Sequence, residues 1–333
     1  MKNKRKRLLS IVLSCTILIS GGGLFSDIDV AKAATNAAFS TEMKAAGFPD
    51  SYITGLTQLH KQYPQWKFEA VDTGLDWGTV ITKESVNGVN LVPKSVDDAR
   101  KSTAAGAYDW NTNTWTIYDG SNWVAANSGY IAYYMDPRNF LNENDIFMFE
   151  SLIYEKYQTQ GAVEAALANT FMSNAKVPGA EYTYAWLFCW VGEKYNINPV
   201  ALASRVRQEQ GAGTSDLISG KYAGYEGLYN YFNIQATGSS RDQIVQNGLK
   251  EAKTGSTMML PDGTVSSGSW DTPTKALIGG SLKFANLYIL KNQNTLYAQK
   301  FDYDGQYNGK YWHKYMTNIM APYSEGNQVR RSY

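Results

Sequence analysis

Behind what reads as an export leader, this chain keeps a single cysteine, so its fold must be held by burial and hydrogen bonding with no disulfide framework. The opening Met1-Lys2-Asn3-Lys4-Arg5-Lys6-Arg7, an apolar stretch from Leu8 to about Phe25, and Ala31-Lys32-Ala33-Ala34 have the layout of a signal peptide, residues 1–33, cleaved after Ala33. The rival is a retained membrane anchor, against which Gly21-Gly22-Gly23 breaks the apolar stretch. A lipoprotein box at Val12-Leu13-Ser14-Cys15 is a weaker alternative, because Cys15 lies inside the apolar run. The remaining thiol, Cys189, sits among Trp186, Leu187, Phe188 and Trp190 and reads as a small core residue. About 300 residues follow the leader, enough for one large core or two. The leader takes with it six Lys/Arg and two Asp/Glu, leaving 25 basic against 28 acidic residues, net −3. That balance gives no bulk charge with which to hold nucleic acid.

Along the chain, Ile53, Leu56, Leu59 and His60 recur at helical spacing up to Tyr63-Pro64, and Trp66 to Val71 alternates as a strand does. A second helix is expected from Asp76-Trp77. Asp119-Gly120 between Trp115-Thr116-Ile117-Tyr118 and Trp123-Val124 is a hairpin signal. Helical patterns are expected at about 152–157, 163–172, 185–195, 241–253 and 272–290. Within the Tyr/Gly-rich segment 220–238, Lys221 to Asn233 reads as a hairpin that could line a cleft, or as a tyrosine-rich strand pair covering the core. No repeat of 20–50 residues stands out, which argues against solenoids and tandem wall-binding modules.

The segment 198–211 carries the chemistry. Asn198 can cap a helix, Pro199 suits its first turn and Gly211 can end it, so 200–210 is expected to be helical. Leu202, Val206 and Glu209 then fall at i, i+4 and i+7, which puts Glu209 on the core-facing side. Burial there disfavours a charged carboxylate, and so does the negative end of the helix. A Glu kept protonated near neutral pH can donate to a glycosidic oxygen. The plainer reading is an ion pair with Arg205. Downstream, Tyr225, Glu226, Tyr229, Asn230 and Phe232 offer aromatic faces for sugar rings, amides for hydroxyl or acetamido groups, and a second carboxylate.

Four stretches in order resemble the bacterial glucosaminidase autolysins, glycoside hydrolase family 73. They are Tyr195-Asn196-Ile197-Asn198-Pro199 through Gln208-Glu209-Gln210-Gly211, then Tyr229-Asn230-Tyr231-Phe232-Asn233-Ile234, then Trp270-Asp271-Thr272-Pro273 to Ile278-Gly279-Gly280, and Tyr311-Trp312-His313-Lys314-Tyr315-Met316-Thr317-Asn318-Ile319. The resemblance spans roughly residues 165–325. Upstream, Phe48-Pro49-Asp50-Ser51-Tyr52, Thr73-Gly74-Leu75-Asp76-Trp77 and Asp136-Pro137-Arg138-Asn139-Phe140 resemble the region that precedes this domain in similar enzymes of Firmicutes.

The resemblance implies an α+β, mainly helical fold: a lysozyme-like catalytic domain with a small β-lobe at 161–325, and an N-terminal α/β subdomain at 34–160 packed on it and able to extend its groove. A polar tail, 326–333, would follow. It implies cleavage of the GlcNAc-β-1,4-MurNAc bond of peptidoglycan with Glu209 as the acid. Glu226 would activate water, unless the substrate's acetamido group assists instead. Tyr225, Tyr229, Asn230, Phe232 and Tyr315 would line the cleft. Many members carry Gly after the Phe, whereas this chain has Asn233. No metal or cofactor is expected, the chain is read as a monomer, and it would be secreted or associated with the cell wall, membrane-attached only if the leader is retained. The rivals are a muramidase or lytic transglycosylase on the same scaffold, and a wall-binding protein without activity. No Gly-x-Ser-x-Gly elbow, P-loop or His-Glu-x-x-His occurs, and His60 and His313 are far apart in sequence.

Overall fold

The computed structural model describes residues 7–14, 28–304 and 309–331; residues 1–6 and 15–27 of the expected leader, and the last two of the expected tail, lie outside them. Contacts divide the chain into two compact units, residues 1–151 with 292–327 and residues 152–291 with 328–333. Residues 292–327, which the sequence reading places in the catalytic domain, thus group with the N-terminal residues. Among the described residues no helix is long and apolar enough to cross a membrane.

The first unit starts with β1 (Arg7–Ser14), α1 (Ile28–Ala45), α2 (Asp50–Gln62), β2 (Lys67–Asp76) and α3 (Trp77–Glu84), with β1 and β2 antiparallel. The expected 3.6-residue periodicity places Leu56 and Leu59 in the core, and the Asp76 carboxylate caps α3 by accepting from the Thr79 amide at 3.0 Å. Next come β3 (Leu91–Pro93), a short ladder of β4 (Tyr108–Asp109) with β5 (Thr114–Trp115), then β6 (Ile117–Asp119), β7 (Trp123–Ala125) and α4 (Ser128–Met135). The Asp119-Gly120 hairpin forms as expected, Gly120 at φ 53°, within the sheet order β3-β7-β6.

The second unit is built from α5 (Gln160–Ala166), α6 (Tyr184–Tyr195), α7 (Pro199–Gln210), α8 (Arg241–Thr254), β8 (Ser256–Met259), β9 (Val265–Gly268) and α9 (Pro273–Leu287). Its core joins Leu187, Phe188 and Val191 of α6, Leu202 and Val206 of α7, and Ala276, Leu277 and Phe284 of α9. Cys189 is packed against this core as expected, and burial pushes its thiol up to about 11, with a smaller push from the Glu193 charge.

Three expectations of local structure are corrected. The helix expected at 163–172 is α5, which ends at Ala166, and 167–172 are turns. Residues 152–157 are not helical: Leu152 is buried in the core and its carbonyl accepts from the Asn198 amide at 2.8 Å, which ties the segment to the start of α7. Residues 221–233 form turns and no hairpin, because left-handed residues at Gly224, Gly227 and Asn233 interrupt any extended run. The antiparallel pair of this unit is β8 with β9.

The chain then returns to the first unit through α10 (Leu296–Phe301) and enters α11 (Ala321–Arg330). Here Leu91 bridges Asn318, and a buried charged group forms around the end of α3. The Lys314 ammonium contacts Glu84 Oε2 at 2.5 Å and the Asn90 amide donates to the same oxygen at 2.7 Å. Lys300, fully buried, donates to Asn90 Oδ1 at 2.6 Å and to the carbonyls of Met316 and Thr317 at 3.1 and 3.2 Å. These three acceptors match the three hydrogens of an ammonium. Burial nevertheless lowers the Lys300 pKa to about 7, helped by the Lys314 charge and opposed by Glu84.

Candidate active site

The helix that carries Glu209 is set at both ends by its sequence. Asn198 Oδ1 accepts from the amides of Val200 and Ala201 at 2.9 and 3.1 Å, Pro199 follows, and Gly211 at φ 51° closes the helix. Leu202, Val206 and Gln210 form its buried stripe, with Glu209 on the edge. The Glu209 side chain keeps 26% of its surface exposed, so the carboxylate is anchored by the core face of α7 yet open on one side.

One hydrogen bond and one ion pair hold that carboxylate. Asn233 Nδ2 donates to Glu209 Oε2 at 2.9 Å, and Arg205 Nε lies 3.6 Å from Oε1. The Arg205 guanidinium sits over the Phe284 ring, 5.5 Å from its centre. The ion pair with Arg205, which the plainer reading of the sequence expected, is therefore present alongside the contact that fits a catalytic role. Gln210 orients the amide: its Nε2 donates to Asn233 Oδ1 at 2.8 Å and to the Tyr231 carbonyl at 2.9 Å, which turns Asn233 Nδ2 toward Glu209.

Asn233 is the site residue that the sequence reading passed over. It stands where many members of the resembled family have Gly, and its φ of 52° explains why both residues fit there. The left-handed region is open to Gly at no cost and to Asn more readily than to other residues. Only Asn adds a donor. Replacing Asn233 with Gly is expected to leave the fold intact and to lower any catalysis that runs through Glu209 roughly tenfold, matching the ~1.5 kcal/mol of a hydrogen bond to a charged group. Initial rates and melting curves of the purified variant check this, and an unchanged rate would leave the amide without a part in the chemistry.

Residues 229–233 are positioned from behind by α9. A β-carbon at Gly279 or Gly280 would collide with the ring of Trp270 or Phe232. Phe232 is buried and stacks on Phe284 with ring centres 6.5 Å apart. Asn230 is fully buried: its Nδ2 donates to the carbonyls of Ile234 and Gly248 at 2.8 and 2.9 Å, and its Oδ1 accepts from the Ile234 amide at 3.1 Å. Asn230 exposes no surface and Phe232 only 5%. They hold the loop that carries Asn233. Next to them Tyr231 is buried with its hydroxyl 3.2 Å from that of Tyr184, and desolvation raises both phenol pKa values.

The remaining expected site residues are placed differently. Tyr229 is half-buried against Gly220, and its amide donates to the Trp270 carbonyl at 3.1 Å. Tyr225 is half-buried on the small core of Leu217, Val245 and Leu249 and lies beside Tyr222. Glu226 is exposed in the same loop. Its carboxylate accepts from the Gly224 amide at 3.1 Å, and its own amide and that of Gly224 hold it below the usual range, so it is ionised at neutral pH. No hydrogen bond or ion pair joins it to Glu209 among the described residues. Tyr315 belongs to the first unit, where its amide donates to the Gln299 carbonyl at 3.2 Å.

No family model matches the sequence. The bifunctional autolysin of Staphylococcus epidermidis is 26% identical over 187 residues, 54% of this chain and 12% of that protein. That of Staphylococcus aureus strain COL is 25% identical over 188 residues, again 54% of this chain and 13% of the relative. The chain is similar to one stretch of the staphylococcal autolysins. It spans only about an eighth of their length. Among solved structures, S. aureus glucosaminidase B matches with a TM-score of 0.50 at 20% identity, covering 77% of this chain and 83% of that one. At that identity the likeness carries the fold: the mainly helical, lysozyme-like α+β architecture expected from the sequence.

Proposed function

We propose that this chain is a peptidoglycan hydrolase, an endo-β-N-acetylglucosaminidase that cleaves the GlcNAc-β-1,4-MurNAc bond with Glu209 as general acid, acting outside the cell or at the wall. The observation that carries the reading is the Glu209 carboxylate itself, held at the end of α7 by Asn233 and Arg205 with one side open. The relationship to bifunctional autolysins supports the choice of peptidoglycan. A proton donor at a glycosidic oxygen needs a partner that activates water or stabilises the sugar cation. Glu226, ionised and exposed, suits the first task, and the substrate's acetamido group is the other candidate. Tyr225 and Tyr229 would supply aromatic faces to the sugar rings, while Asn230 and Phe232 would act only by holding Asn233 in place.

The bond cut is read from the new reducing ends. Digestion of purified peptidoglycan, borohydride reduction and mass spectrometry are expected to give reduced GlcNAc ends. Reduced MurNAc would identify a muramidase, and anhydro-MurNAc a lytic transglycosylase; either result would displace this reading.

A further inference from the structure

The first unit holds a cleft of about 730 Å³ whose lining includes Arg100, Tyr130, Tyr133, Tyr134, Phe140 and Tyr323. That volume lies in the roughly 300–1,000 Å³ range of small-ligand sites. The cleft comes from the concentration of tyrosines on α4 and from the Asp136-Pro137-Arg138-Asn139-Phe140 turn that follows it. Tyr134 and Phe140 stack with centres 5.7 Å apart and form its floor. Tyr133 meets Tyr134 and Phe140 edge-on, at 5.3 and 5.6 Å, and keeps 48% of its surface exposed. Its ring is thus packed against two aromatic neighbours while nearly half of the residue stays open to solvent, which suits a platform for the CH-rich face of a pyranose.

The charges sort in the same direction. Arg100 lies over the Tyr130 ring at 5.4 Å and makes no ion pair among the described residues. Asp145, the acidic residue of the cleft, is already engaged by the amides of Asn142 at 2.9 Å and Asn327 at 3.5 Å. Asp145 keeps its negative charge, but both of its oxygens already accept hydrogen bonds, whereas the Arg100 guanidinium has no ionic partner among the described residues and is best matched by a carboxylate.

We propose that this cleft is a second glycan site, which binds an N-acetylmuramyl unit with its sugar ring on Tyr133 and a carboxylate on Arg100. The carboxylate belongs to the lactyl ether where that is free, or to the stem peptide attached to it. The choice of ligand rests on the proposed function, because peptidoglycan is the polymer that presents both groups together.

The test uses the full chain carrying Glu209→Gln, so that ligand is bound without turnover. Tyr133→Ala with Arg100→Gln is expected to weaken sedimentation with insoluble cell walls at least fivefold, and Tyr133→Phe, which keeps the ring, to stay within twofold of its parent. In the chain that retains Glu209, the same double substitution is expected to leave cleavage of a short soluble GlcNAc-MurNAc oligosaccharide within twofold, which also shows that the variant is folded. Muramyl disaccharides with and without stem peptide separate the two carboxylate sources, and chitotetraose has neither. Unaltered wall binding by the double variant overturns the site. So does equal, Arg100-independent competition by chitotetraose. If the Glu209→Gln chain still cleaves walls, the proposed function fails instead, and the binding comparison then judges the cleft by itself.

Discussion

Glu209→Gln is expected to reduce wall hydrolysis by roughly 10²–10⁴-fold, the range for loss of a positioned general acid. The melting temperature should move little. Glutamine keeps the length and polarity of the side chain and can still accept from Asn233. What it loses is an ion pair with Arg205 that is partly open to solvent, and such pairs contribute about 1 kcal/mol or less. A large loss of rate with a nearly fixed melting curve therefore separates chemistry from folding. Turbidity loss of a wall suspension measures the first and thermal unfolding the second. Clearing that survives the substitution would remove Glu209 from the role assigned to it.

The largest expected effect on stability lies in the first unit, at Glu84. Glu84→Leu removes the counter-charge from Lys314 and the pull that keeps Lys300 charged. Breaking a buried pair from one side costs about 3–5 kcal/mol, out of a total that for natural domains is roughly 5–15 kcal/mol. Melting should fall by roughly 10 °C, taking ~2–4 °C per kcal/mol for a unit of this size. The deficit should also depend on pH with a definite sign. Burial holds Lys300 at about 7 in the folded chain, against the ordinary lysine value of 10.5 that it regains when unfolded. Between those values the unfolded state holds more protons, so stability rises with pH across that window. Below about 7 the cost of the buried ammonium is present in full. Without Glu84 the folded pKa drops further and the window extends downward. Melting at pH 5 and at pH 9.5 should show the deficit narrowing as pH rises, and an equal deficit at both would mean that buried lysine charge is not its source.

Much of the architecture was legible because its signals are local. The Asn198-Pro199 start and Gly211 stop of α7, the Asp119-Gly120 hairpin and the periodicity of Leu56 and Leu59 each depend on neighbours within a few residues. What could not be read depends on distant partners. Residues 152–157 lose their helix to a contact with Asn198. Asn230 and Phe232 have the composition of a sugar site, yet Gly248 and Gly280, far along the chain, turn them inward. Asn233 was visible only as a departure from the resembled pattern. Its value depends on a left-handed backbone and on Gln210 turning its amide, and neither is written in its own neighbourhood.

The bare face that Gly279 and Gly280 present on α9 bears on how this chain could change over generations. Phe232 rests on that face, and Asn233 is the next residue in the chain. A methyl group gained at Gly280 would push the ring before it disturbed anything else, and the push would reach the amide that grips Glu209. Inherited variation in turnover can therefore enter from the rear wall of the domain, at a residue that need never meet substrate. A survey of slow natural variants confined to the cleft would overlook it.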